Sequence, residues 1–242
     1  MDGGNLFGEL AGLAAALVPG TALTPAAILR TAAERMTGRR LTVRVDGHDV
    51  RFTVTALDYE ADTLRLAAGR LGDVRLVADD VSWPDFPLRR VTVLGKDVRV
   101  RSLPVITATP ASVELEVRVA AEVVTGRLAE LRPDLVIELA DGYARVRWAK
   151  VPGLGHLDVE PTLTEDAVVL VPRGLRVAGL RLPPRIDPIS VALPEFPEGL
   201  RLTGIEPHPD ELVLRLNAAQ WPERLSRVPL LDLLGWVLRP SG

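Results

Sequence analysis

Residues 182–216 read LPPRIDPISVALPEFPEGLRLTGIEPHPDELVLRL. Seven prolines punctuate the stretch, at Pro183, Pro184, Pro188, Pro194, Pro197, Pro207 and Pro209. Proline lacks a backbone N–H and fixes φ, so it marks where strands stop. Between the prolines lie three short apolar runs, residues 189–193, 200–205 and 212–216. In the last two, Leu200 and Leu202, then Leu212, Leu214 and Leu216, alternate with Arg201, Thr203, Val213 and Arg215. Period two means strands with one buried face and one wet face. The spacing predicts a meander of short antiparallel strands curled at its ends by proline and glycine.

The same period governs the chain upstream. Leu41, Val43 and Val45 lead through Asp46-Gly47 to Val50, Phe52 and Val54, a hairpin signal. Further strands are predicted over residues 63–67, 74–79, 91–94 and 98–101. Val113, Leu115, Val117 and Val119 then alternate with Glu114, Glu116 and Arg118. Residues 121–131 turn helical through Val124, Leu128 and Leu131, and Pro133 stops them. Leu135, Ile137 and Leu139 next lead through Asp141-Gly142 to Ala144, Val146 and Trp148. This second helix-then-hairpin unit suggests two structurally related halves. Strands at 157–159, 167–171 and 175–182 complete the pattern.

Both termini read as helices. Leu6, Phe7, Leu10, Leu13, Ala14 and Leu17 recur at helical spacing, with Asn5 to cap the start and Pro19-Gly20 to end it. Thr24 and Pro25 open a second helix through Ile28, Leu29, Ala32, Ala33 and Met36, closed by Gly38. Residues 222–239 are apolar enough to pack on the body or to form a homodimer.

The turn Leu193-Pro194-Glu195-Phe196-Pro197-Glu198-Gly199-Leu200 and its following strands resemble the end of the LmeA-type family, phospholipid-binding proteins of actinobacteria. The block GRLGDVRLVADDVSW, residues 69–83, is similar to that family as well. The resemblance covers roughly residues 41–221. It implies an α+β, tubular lipid-binding-like fold: a strongly curved antiparallel β-sheet wrapped around one or more helices, with apolar N- and C-terminal helices. Residues 1–242 are expected to form a single domain. Its parts are a helical segment over 1–40, the curved sheet over 41–221 with an embedded helix near 121–131, and the C-terminal helix over 222–242.

Composition excludes more than it assigns. A formal charge of −3 offers nothing to a nucleic acid. The cations are almost all arginine, lysine occurring only at Lys96 and Lys150; arginine suits phosphate, but the bias runs through the whole chain. With no cysteine there is no disulfide, thiolate chemistry or cysteine metal site. The first basic residue is Arg30, so the N-terminus lacks the basic region of a secretory signal, and no apolar run reaches bilayer length. A cytoplasmic location is the expectation, and in this the chain departs from exported LmeA-type proteins.

No catalytic constellation stands out. His48, His156 and His208 sit in turns, none spaced as a metal ligand. No serine lies in G-x-S-x-G, and no phosphate-binding loop is present. Asp79-Asp80 and Glu114/Glu116 are carboxylate pairs in the settings of a turn and a strand's wet side. The expected activity is therefore non-catalytic binding of a phospholipid or similar amphiphile in an elongated apolar cavity, with no cofactor and no metal. Peripheral membrane contact fits such a role. The residues expected to line the cavity are Leu6, Leu10, Leu13 and Leu17 on the first helix, with Trp83 and Phe86 at a proline bend. A plug at the sheet's end is the plainer role for those two rings. The alternative is a scaffold or interaction protein that keeps the fold but fills the cavity.

Overall fold

The computed structural model describes residues 34, 36–45, 48–60, 65, 68, 70–83, 86–101, 107–193 and 199–218. The expected helix over 6–17, most of the second helix, the Asp46-Gly47 turn, residues 194–198 and the C-terminal helix lie outside them. Of the second helix, Glu34 and Met36 are helical, and Gly38 follows at φ 80.

Among the described residues fourteen strands, all paired antiparallel, form two sheets. The larger has eight: β1 (Arg40–Val45), β2 (His48–Tyr59), β3 (Arg70–Trp83), β4 (Phe86–Arg101), β5 (Thr107–Thr109), β6 (Ser112–Ala120), β13 (Leu200–Pro207) and β14 (Glu211–Ala218). Its order is β1-β2-β3-β4-β6-β14-β13, with β5 paired to β4. The smaller has six: β7 (Leu135–Ala140), β8 (Tyr143–Trp148), β9 (Gly155–Leu163), β10 (Ala167–Val177), β11 (Leu180–Leu182) and β12 (Ile189–Ala192). Helix α1 (Ala121–Leu131) joins them and packs mainly on β7.

Several expectations need correction. One curved sheet around an embedded helix becomes two sheets with α1 between them, and no residue of α1 is buried. The proline-rich stretch is not one meander: β12 pairs with β10 in the small sheet, whereas β13 and β14 form a hairpin in the large one. The predicted strands at 91–94 and 98–101 are one strand, β4, because Asp97 takes φ 42 and absorbs an irregularity instead of making a turn. Arg65, the described residue of the predicted strand at 63–67, is helical. The predicted strand at 175–182 breaks at Ala178 and Gly179, which both take positive φ (48 and 82) between Val177 and its partner Leu180. That is the backbone of a two-residue hairpin turn matching strand twist. Gly142 turns the β7–β8 hairpin at φ 78, with Ala140 opposite Tyr143.

Alternation and register together sort the side chains. On one face of the large sheet the row Val54, Ala78, Val91, Val117, Leu214, Ile205 crosses six strands. The next row is Leu57, Leu76, Val93, Leu115, Leu216, Leu202, and the next Tyr59, Val74, Gly95, Val113, Ala218, Leu200. The opposite face carries Asp79, Arg90, Arg118 and Glu206, then Thr92, Glu116 and Arg215, then Arg75, Glu114, Asn217 and Arg201, interrupted by Val77, Leu94 and Val213. The small sheet repeats the division: Ile137, Val146, Leu157, Leu175 and Leu182 share a row, whereas Glu138, Arg145 and Asp158 oppose one another on the other face.

Backbone irregularities keep these faces in phase. Between Asp79 and Ser82 two residues of β3, Asp80 and Val81, oppose the single residue Phe52 of β2, and Asp80 takes φ 52. Aspartate tolerates this left-handed conformation better than most residues. The shift lets Val81 join Ala78 and Val50 in the buried cluster, beside Phe52, Leu88 and Val91.

Two glycine-region substitutions should move stability in opposite directions. Gly72 has φ 69, and a Cβ there would lie 2.8 Å from the Glu60 carbonyl oxygen; Gly72→Ala should cost about 2 kcal/mol. Ala178→Asn suits the same left-handed region better than alanine and should add about 0.5–1 kcal/mol. Urea denaturation of both variants checks the pair, and equal midpoints would contradict the turn and bulge geometry.

Candidate functional site

The apolar faces are the first candidate. Six strands at about 4.8 Å spacing make the large sheet's face roughly 24 Å wide. One leaflet of acyl chain occupies about 15 Å, half a bilayer core, so the face exceeds a lipid tail in extent. Val54, Ala78, Val113, Val119 and Ala218 on it are buried. Its middle is not sealed: Leu76, Val91, Val93, Leu115, Val117, Leu214 and Leu216 all retain partial exposure. On the small sheet Val159 is the one buried hydrophobic side chain among the described residues, and Leu180, Leu182, Ile189 and Val191 on its apolar rows are exposed. Among the described residues this apolar surface is only partly covered, an extent larger than the scattered apolar side chains of an ordinary surface.

Most of the arginines on the wet faces are engaged by carboxylates. Arg90 donates to both carboxylate oxygens of Asp79 at 2.6 and 3.0 Å. Arg118 bridges Glu116 and Glu211 at 2.8 and 2.9 Å. Arg215 pairs with Glu206 and approaches Glu116 at 3.7 Å. On the small sheet Arg147 holds Glu138 at 2.7 and 2.8 Å, Arg145 holds Asp158 at 3.0 Å, and Arg173 pairs with Glu160. The Arg90 hydrogen bonds hold the Asp79 carboxyl below its ordinary range, and Arg215 does the same for Glu206. Each of these arginines, which composition alone offered among the possible phosphate ligands, already faces a carboxylate.

A polar cavity of about 360 Å³ opens where β13 and β14 approach the β7–β8 turn, lined by Glu116, Arg118, Glu206, His208, Glu211 and Arg215 among others. The Gly142 N–H donates to the Pro207 carbonyl oxygen at 2.9 Å and ties the two sheets together there. His208 Nδ1 lies 3.4 Å from Asp141 Oδ1. A histidine–aspartate contact orients a base, but no serine, threonine, cysteine or lysine lines this cavity to be activated. Among the described residues no three His, Cys, Asp or Glu side chains converge as a metal site. His156 stands 3.9 Å from Asp158.

The expected lining residues are placed as follows. Leu6, Leu10, Leu13 and Leu17 lie outside the described residues. Trp83 and Phe86 oppose each other at the tip of the β3–β4 hairpin, with Trp83 46% exposed, at the end of the sheet and not within its apolar rows. The residues that sequence reasoning passed over as a site are Val93, Leu115 and Leu216 and their neighbours. Their alternation was visible, but their alignment into one face depends on strand order.

A model of the LmeA-like phospholipid-binding family matches residues 60–217, more than half of the 242-residue chain. Searches of the curated proteins and of the solved structures returned no match. Among the described residues no helix is long and apolar enough to cross a membrane.

The Asp79–Arg90 pair yields a test of the wet face. A depressed carboxylate pKa contributes stability that is present above the unfolded value, about 3.9 for aspartate, and is lost as pH falls through the lower folded value. Asp79→Asn should therefore be less stable than wild type at neutral pH, and the gap should close below about pH 4. Urea melts at stepped pH check this; a gap that persists unchanged through the acid range would remove the pair as its cause.

Proposed function

The chain belongs to the LmeA-like phospholipid-binding family, and from that premise we propose that it binds a phospholipid or similar amphiphile without chemistry, its acyl chains lying against the apolar faces of the sheets. The observation that carries this reading is the uninterrupted apolar face of the large sheet, partly exposed at its middle. Removing an acyl chain from water is worth about 0.8 kcal/mol per methylene. A lipid already in a bilayer has gained that free energy, so exchange between protein and membrane is close to neutral. Such a face suits a protein that transfers or presents lipid, and a role in cell-envelope metabolism is consistent with it.

The non-catalytic reading is supported by the pairing of most charged groups with one another across the wet faces and by the lining of the polar cavity, which offers no hydroxyl, thiol or amine nucleophile. The alternative, a scaffold with a filled interior, makes a different physical demand. If the protein's own side chains already fill the face to native density, an added ring forces strain of about 1–3 kcal/mol. If a lipid occupies the space, the ring displaces the lipid.

Val93→Trp, at the centre of the middle row, separates the two. We expect purified wild-type protein to release a phospholipid into organic solvent, detected by mass spectrometry. The variant should keep the wild-type melting temperature measured on delipidated samples and release several-fold less lipid. A destabilised variant together with a lipid-free wild type would favour the filled interior.

A further inference from the structure

One end of the small sheet differs from the rest of the described surface. The β8–β9 loop, residues 149–154, and the β10–β11 turn meet there, the Ala178 N–H donating to the Leu154 carbonyl oxygen at 2.8 Å. Apolar side chains stand out from it: Trp148 is 55% exposed, Val151 53%, Leu154 49% and Leu180 67%. Behind them on the polar face His156 lies opposite Arg176, and Arg176 opposite Arg181. Like charges directly opposite one another are unfavourable in a sheet unless an anion is near. Most arginines elsewhere on these faces meet carboxylates, Arg75 and Arg201 being exceptions that stand on the large sheet away from any exposed apolar cluster; among the described residues Arg176 and Arg181 have no acidic partner. Residues 147–157 and 174–186 contain no aspartate or glutamate and contribute Lys150 and Arg185 as well. The acids near this end are already engaged: Asp134 with Arg132, and with Lys150 close by, and Asp158 with Arg145.

We propose that this end of the small sheet is a docking surface for an anionic lipid bilayer. Trp148 takes the boundary position that amphipathic rings favour. Val151, Leu154 and Leu180 enter the headgroup–acyl boundary, and Arg176 and Arg181 meet lipid phosphates. The chain's net charge is −3, so the attraction is local to this end and orients the molecule. Trp148 pairs with Leu135 and Leu180 with Val177, in the last row of the small sheet's apolar face. A tail leaving the bilayer at this point therefore meets that face directly. Docking itself does not depend on a lipid being held inside.

The test is cosedimentation with vesicles of phosphatidylcholine alone and of phosphatidylcholine mixed equally with phosphatidylglycerol. Wild type should bind the mixed vesicles and not the neutral ones. Arg176→Gln with Arg181→Gln should weaken that binding roughly thirtyfold, since each cation near such a surface contributes about one factor of five. Arg75→Gln with Arg201→Gln, the same charge loss on the large sheet's wet face, should leave binding unchanged. Equal binding by the tip variant and wild type, or an equal loss in the control variant, overturns the proposal. A readout on the unaltered surface charge avoids any folding defect of the tip variant. Lipids brominated on their acyl chains should quench wild-type fluorescence more than that of Trp148→Phe, and no difference overturns the proposal as well. Lipid extracted from the tip variant should match wild type, so a failure of docking and a failure of lipid holding are read separately.

Discussion

Along each long strand, side chains that water holds and side chains that water expels alternate one by one, and antiparallel register aligns them into continuous faces. The rest of the structure depends on that segregation. A sheet with one wholly apolar face must cover it, because apolar surface removed from water is worth about 25 cal/mol per Å². Here valine and leucine supply that surface almost alone, and aromatics are only 4% of the chain. Short branched side chains make a smooth face without the large rings that would fill the space above it.

The opposite faces obey a different rule. Each holds strands together by cross-strand pairs of arginine and carboxylate, such as Arg90 with Asp79 and Arg147 with Glu138. Exposed pairs of this kind contribute little each to stability. Their more useful effect is on specificity of register, since a slip of one residue would bring arginines into the apolar rows. The same pairing consumes the cations that would otherwise attract anions. At the end of the small sheet Arg176 and Arg181 have no acidic partner among the described residues, and there they stand beside the exposed Trp148, Val151, Leu154 and Leu180.

Strand existence was legible in the sequence wherever period two was clean, as in Val113–Val119 and in the Asp141-Gly142 hairpin. Helix α1 was legible to its ends from its apolar spacing and Pro133. Partnership was not. That β14 pairs with β6, nearly a hundred residues earlier, and that β12 and β13 enter different sheets, depends on long-range register that local patterning does not encode. Bulges were hidden for a related reason: Asp80 and Asp97 adopt positive φ that aspartate permits but does not announce. The candidate site was half legible. An apolar interior followed from the family resemblance, whereas its location on the rows through Val93, Leu115 and Leu216 needed the strand order.

The central claim is that acyl chains lie on those rows. A phospholipid carrying a photoreactive diazirine midway along one acyl chain, loaded into the purified protein and irradiated, tests it most directly. Peptide mapping should place the label on apolar-face residues such as Val91, Val93, Leu115 or Leu216. Label confined to wet-face residues such as Glu114 or Arg90, or no label above that of an unrelated protein, would contradict the account.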